Sequence, residues 1–157
     1  MKALFCYVSL TLFVISTAAA QHIPFKIHIS NEGLPLHHSR VYDLDNDGLK
    51  VSFFSSWPRA KDSVVFCKQL SAVQQADLNE YLSGLHIDTL KENYINPCVI
   101  DGFILHINMQ VNMRHKQVWV ANRDVPAIAG LVQRINAMIP DHRWKMQGEA
   151  SLGICNE

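Results

Sequence analysis

Short runs in which apolar and polar residues alternate recur along this chain. In FKIHIS (25–30), the apolar residues Phe25, Ile27 and Ile29 alternate with polar neighbours. Such alternation predicts a strand that buries one of its two faces. Further strand-like runs lie at 40–44, 48–56, 63–70, 101–111 and 117–122. A sheet is therefore expected to be the main element of the fold.

The first predicted helix follows the fourth of these runs. Ser71 is a residue type that caps helices, and Gln74 stands three residues later, as in a capping box. Helix is therefore expected over 72–83, and Gly84 is placed to end it. Its apolar stripe comprises Leu78, Tyr81, Leu82 and Leu85.

The second predicted helix covers 124–140. Asp124 suits the cap position, and Pro126 lies in the first turn, where its missing N–H costs little. Pro140 ends the helix. The apolar stripe comprises Ile128, Leu131, Val132, Ile135 and Ile139, as expected for a helix that packs on a core.

A hairpin is predicted between the two helices. If Asn112 pairs with Gln117, Val118 and Val120 lie on the same face as the apolar residues of the first strand. Those residues are Phe103, Leu105, Ile107, Met109 and Val111. The order strands, helix, hairpin, helix predicts an α+β fold, an antiparallel sheet of about five strands with two helices packed on one face.

The beginning of the chain has the pattern of a secretory signal. A positive charge precedes an apolar run over 3–16, and Ala18-x-Ala20 fits the small-residue rule for cleavage. We expect a signal peptide over 1–20 and a single α+β domain over 21–157, secreted or periplasmic. No later segment is apolar enough to predict a membrane span.

Charge restricts the class of partner. The chain has 14 basic and 14 acidic residues, and it contains no basic run. This composition argues against nucleic acid as a partner, because binding to phosphate backbones requires clustered Lys and Arg. The expected partner is a protein in the cell envelope or outside the cell.

Three cysteines follow the predicted signal peptide. In an oxidising compartment one disulfide is expected, with one thiol remaining. Because Cys98 and Cys155 lie in segments without strand or helix patterns, the pairing Cys98–Cys155 is favoured, with Cys67 as a buried thiol. Pairing of Cys67 with Cys98 stays open, and a catalytic cysteine is a third reading.

The segment DLDNDGL begins like a calcium-binding loop. Asp43, Asp45 and Asp47 occupy the first three ligand positions, and Gly48 follows where such loops need glycine. The twelfth position, which needs a bidentate acid, holds Phe54. Asn-Asp-Gly between two strand patterns is also favourable hairpin-turn chemistry. The turn is therefore favoured, and a calcium site using the three aspartates is the alternative.

The back of the predicted hairpin is the preferred contact surface. His106, Asn108, Gln110 and Trp119 are expected to point away from the core. A tryptophan among amides on an exposed sheet face is typical of a surface that binds a protein or a sugar. The competing interpretation is that the N-terminal strands or the C-terminal tail cover Trp119.

Motifs for catalysis or for zinc are missing from the sequence. The eight histidines are scattered, with no helical His-x-x-x-His pair and no Cys/His zinc spacing. No nucleophile elbow, phosphate loop or spaced pair of catalytic carboxylates occurs. An enzyme is therefore the third hypothesis, after a binding module and a calcium- or metal-stabilised domain.

The second half of the chain resembles a group of small exported bacterial proteins. They share an Asn-Pro-x-x-x-Asp-Gly turn, here NPCVIDG (96–102), followed by a hairpin and by a helix that ends before proline. The resemblance implies the fold and the export. It implies no activity, and it transfers no functional residue.

Overall fold

The computed structural model describes residues 23–32, 38–55, 63–98 and 104–146. Within these residues the chain forms an α+β fold. The strands are β1 (Phe25–Glu32), β2 (His38–Asp45), β3 (Gly48–Ser55), β4 (Ser63–Gln69), β5 (Asn93–Ile95), β6 (Ile104–Val111) and β7 (Arg114–Ala121). The helices are α1 (Ala72–Gly84) and α2 (Pro126–Met138), with short 3-10 helices at Ile87–Thr89 and His142–Trp144. None of the helices in the described ranges is long and apolar enough to cross a membrane.

All seven strands belong to one mixed sheet, in the order β4-β3-β2-β1-β6-β7-β5. Neighbouring strands are antiparallel except β5, which runs parallel to β7 at one edge. The prediction of about five antiparallel strands was therefore wrong in number and in the direction of this edge strand. β5 escaped prediction because its three residues are too few to show an alternating pattern.

Both helices contribute to one core with the inner face of the sheet. β1 contributes Ile27 and Ile29, both fully buried, and α1 contributes Leu78 and Leu82. The buried residues of α2 are Ile128, Leu131, Val132, Ile135 and Met138. The predicted apolar stripes are thus confirmed, and each such side chain contributes roughly 1.5–3 kcal/mol when buried.

The two helix starts differ in how well the sequence predicted them. The capping box is confirmed, because the Gln74 N–H donates to the Ser71 hydroxyl and the Ser71 N–H donates to the Gln74 side chain. The prediction that Asp124 caps α2 was wrong, because Val125 occupies the cap position and makes no side-chain hydrogen bond there. Pro126, with its fixed φ, follows immediately and begins the helix.

The β6–β7 hairpin has a tighter turn than predicted. Gln117 pairs with Asn108, not Asn112, so the predicted register is wrong by four positions along β6. Asn112 and Met113 form a two-residue turn, in which Asn112 adopts a φ of 55°. Because the error is an even number of residues, each side chain still lies on the predicted face.

The described cysteines do not form a disulfide with each other. Cys67 is free and exposed. It lies opposite Lys50 near the end of edge strand β4, so the prediction of a buried thiol was wrong. The alternative pairing of Cys67 with Cys98 is also wrong, since Cys98 is disulfide-bonded and Cys67 is not. Cys155 lies outside the described residues, and its pairing with Cys98 stays a prediction.

Candidate functional site

The face of the sheet opposite the helices is called the outer face here. Its residues alternate with core residues along each strand, and neighbouring strands align them in rows. One row contains Ser30, His106, Trp119 and Asn93, on β1, β6, β7 and β5 respectively. Trp119 is 44% exposed. β1 lies beside β6 in the sheet and therefore does not cover this tryptophan, whereas the tail over 147–157 lies outside the described residues.

Trp119 is held on both its backbone and its ring. Its backbone N–H donates to the Glu92 carbonyl over 2.7 Å, which fixes β7 to the start of β5. Its indole contacts the imidazole of His106 edge to face, with 76° between the ring planes. The Nε2 atom of His106 is buried and has no hydrogen-bond partner among the described residues. The ring of Trp119 is therefore positioned by an aromatic neighbour.

A shallow depression of about 400 Å³ lies beside Trp119 and is called the Trp119 depression below. It forms where β5 begins, because β5 pairs only with the last three residues of β7. Among the described strands, none pairs with the preceding part of β7 on that side. The residues that line the depression are Glu92, Asn93, His115, Lys116, Gln117 and Trp119.

The other predicted surface residues also lie on the outer face. Asn108 lies between His28 of β1 and Gln117 of β7, and it is exposed. Gln110 lies on β6 one row further towards the β6–β7 turn, and it is also exposed. The fold thus brings His106, Asn108, Gln110 and Trp119 onto one surface, as predicted from alternation.

Sequence reasoning missed the residues that make this surface concave. Gln117 precedes Trp119 by two positions on the same strand, so alternation contained the signal for it. Asn93 and Glu92 gave no signal, because their segment shows no periodicity. Only the parallel pairing of Asn93 with Trp119 brings them to the site.

A second row of the outer face carries charge. The Asp43 carboxylate lies 2.7 Å from His28 Nδ1 and 3.0 Å from Lys50 Nζ. Partial burial acts to raise the pKa of Asp43, but the hydrogen bonds from His28 and Lys50 outweigh it and hold that pKa below its usual value. This row continues across the sheet to Asn108, one row from Trp119.

The aspartate loop forms the tight turn between β2 and β3. The Asp45 carboxylate accepts the N–H groups of Asp47 and Gly48, over 2.9 and 3.0 Å. Asn46 bonds the backbone of Ile23 and Phe25, which attaches the turn to the start of β1. A Cβ on Gly48 would lie 2.6 Å from the Lys68 carbonyl, so this position admits only glycine without a backbone shift.

The three aspartates of this loop are therefore in different environments. Asp43 is paired on the outer face, Asp45 holds the turn, and Asp47 is exposed. Across the part of the chain that the structure describes, no three His, Cys, Asp or Glu side chains are grouped to hold a metal. Calcium binding by the loop stays a prediction.

Comparison with known proteins gives this site no assignment. No family model matches the chain, and no curated protein matches it. The resemblance to small exported bacterial proteins stays a prediction.

Proposed function

We propose that the chain is a binding module whose contact surface is the outer face around Trp119, and that its partner is a protein in the cell envelope or outside the cell. One observation carries this proposal: a large aromatic ring is 44% exposed on a sheet whose opposite face packs into the hydrophobic core. A rigid sheet presents such a ring with little entropy loss on binding.

The composition of the surface supports a binding role. Tryptophan is enriched among residues that dominate binding energies, since its ring offers a large apolar area with few rotatable bonds. Ile95 and Ile104 lie one row from Trp119 and are 52% and 36% exposed. Amide side chains border this apolar area on the side of the β6–β7 turn, where Gln117 and Asn108 lie one row from Trp119, and they can form part of the polar rim that interfaces require.

The charges nearby favour a protein over a polyanion. Asp43 is paired with His28 and Lys50, so the charged row is close to balanced. Lys116 and Glu92 at the depression have opposite signs. Mixed charge around an apolar centre suits a protein surface, whereas a nucleic acid would require a continuous basic stripe.

The expected export belongs to the same proposal. A signal peptide over 1–20 would place the module outside the cytoplasm, where a Cys98–Cys155 bond is chemically stable. An N-terminal sequence of the secreted protein and a mass spectrum of its non-reduced peptides would test both statements.

Capture from an envelope extract tests the contact surface. The bait is the folded chain with Trp119→Ala, compared with wild type and with Val73→Ala. Val73 is 79% exposed on α1 and serves as a matched apolar control. We expect Trp119→Ala to weaken capture by at least about tenfold, as for a hot-spot residue, while the control behaves as wild type. Equal capture by all three proteins would show that Trp119 is not the contact.

A further inference from the structure

We infer that the Trp119 depression binds a neutral sugar unit of a glycan, either a free polysaccharide or a glycan carried by the partner protein. This inference rests on the proposed binding function, and it names the chemistry that the outer face recognises. Three features of the depression support it: an aromatic wall, unengaged hydrogen-bonding side chains, and balanced charge.

The aromatic wall fits the shape of a sugar ring. A pyranose has C–H groups on its two faces and hydroxyl groups around its edge, so it needs an apolar plane bordered by polar groups. Trp119 provides the plane, and its edge-to-face contact with His106 holds the indole in one orientation. A preorganised ring keeps the entropy cost of binding low.

The polar groups of the depression are available to a ligand. Glu92, Asn93 and Gln117 make no side-chain hydrogen bond or ion pair within the described parts of the chain. An amide both donates and accepts, and a carboxylate accepts from two hydroxyls. Sugar hydroxyls can replace the hydrating water at such groups with equivalent bonds.

Charge and size restrict the ligand further. Lys116 and Glu92 both line the depression and carry opposite charges. Neither a phosphorylated nor a cationic ligand therefore meets an excess of opposite charge. A volume of about 400 Å³ falls at the small end of the range for ligand sites, roughly 300–1,000 Å³. The depression therefore suits one or a few neutral sugar units rather than a long charged chain.

An array of neutral oligosaccharides tests the inference directly. The purified chain is applied as wild type, Trp119→Ala, Gln117→Ala and the control Val73→Ala. Any bound oligosaccharide is then titrated in solution by isothermal titration calorimetry, which reports binding equally well in the variant that lacks the Trp119 indole. We expect saturable binding by wild type and Val73→Ala, and a loss of at least about tenfold in both depression variants. Absence of Trp119-dependent binding to any neutral glycan would overturn the inference.

Deglycosylation separates this inference from the proposed function. Envelope extract is treated with glycosidases before capture on wild-type bait, and purified cell-wall polysaccharide is tested in parallel. If deglycosylation abolishes protein capture, the sugar is carried by a glycoprotein. If the wild-type bait binds the purified polysaccharide, the ligand is a free glycan. Trp119-dependent capture that survives deglycosylation, with no glycan bound, would keep the binding module and reject the sugar.

Discussion

His106 and Trp119 lie directly opposite each other on β6 and β7, and their rings meet edge to face on the outer face of the sheet. A cross-strand pair of this kind contributes roughly 0.2–1 kcal/mol to the free energy of unfolding. The energy is small because Trp119 remains 44% exposed. The pair therefore positions a contact surface more than it stabilises the fold.

Trp119→Ala is expected to lower the free energy of unfolding by no more than about 1 kcal/mol, the value of the lost cross-strand contact. Ile107→Ala is the matched control, because Ile107 neighbours His106 on β6 but faces the core and is 1% exposed. That substitution should cost roughly 2–5 kcal/mol. Urea unfolding of both variants measures the difference. A loss above about 2 kcal/mol for Trp119→Ala would mean that the tryptophan supports the fold.

Alternation along the strands was sufficient to assign faces, as these residues show. Successive side chains of a strand point to opposite faces, so the alternation of apolar and polar residues in β6 alone places Ile107 towards the core and His106 away from it. The hairpin register was predicted wrongly because Met113 is not a typical turn residue. The turn depends on Asn112, which tolerates positive φ.

The concave part of the site was beyond sequence reasoning for a different reason. Asn93 reaches Trp119 only because β5 joins the edge of the sheet in parallel to β7, after α1 and a 3-10 helix. Such a contact joins residues that are distant in sequence, and a three-residue strand carries no period. The exposure of Trp119 was unpredictable too, since it depends on where all other segments lie.

Gly130→Ala is expected to destabilise the protein although alanine is the better helix former. A Cβ at Gly130 would lie 2.9 Å from the Tyr81 hydroxyl oxygen. That hydroxyl donates to the Ala127 carbonyl, and the Arg134 guanidinium lies over the Tyr81 ring. The added methyl group costs about 1–3 kcal/mol by overpacking, whereas the higher helix propensity of alanine contributes about 1 kcal/mol. The free energy of unfolding should therefore fall by up to about 2 kcal/mol. Thermal unfolding gives the value.

Gly84→Ala is the control for this helix–helix contact. A Cβ there meets no atom within 4 Å, and Gly84 is the last residue of α1. Its substitution should be neutral or stabilising, by up to about 1 kcal/mol. Equal stabilisation by both alanines would show that Tyr81 moves away from Gly130 without cost.

Asp43→Asn is expected to remove an acid-sensitive part of the stability. The pKa of Asp43 is lowered in the folded state, so its ion pairs stabilise the protein above the unfolded-state pKa of about 3.9. This contribution disappears as the pH falls through the lower folded-state value. The difference in unfolding free energy between wild type and variant should therefore shrink below about pH 4. Asp124→Asn, which removes an exposed carboxyl with no described ion pair, is the control.

Cys67 is expected to react with a thiol reagent in the native protein, because it is free and exposed on β4. If Cys98 pairs with Cys155, the predicted mature chain has one reactive thiol before reduction and three after it. Mass spectrometry of the alkylated protein counts them, and Cys67→Ser should leave none before reduction. Protection of Cys67 until the protein unfolds would contradict its exposure.

Asp45→Ala is expected to destabilise the protein equally with and without calcium. Its carboxylate accepts two backbone N–H groups of the β2–β3 turn, and each such bond contributes about 0.5–1.5 kcal/mol. Because Asp43 is already paired with His28 and Lys50, the loop has one unengaged carboxylate, Asp47, among the described contacts. For wild type, the melting curves in calcium and in EDTA should superimpose. The two curves of the variant should also superimpose on each other, at a lower melting temperature. If the loop binds calcium, a calcium concentration a hundred times the dissociation constant would add about 2.7 kcal/mol to the free energy of unfolding. Such a stabilisation of wild type, absent in Asp45→Ala, would establish the loop as a calcium site.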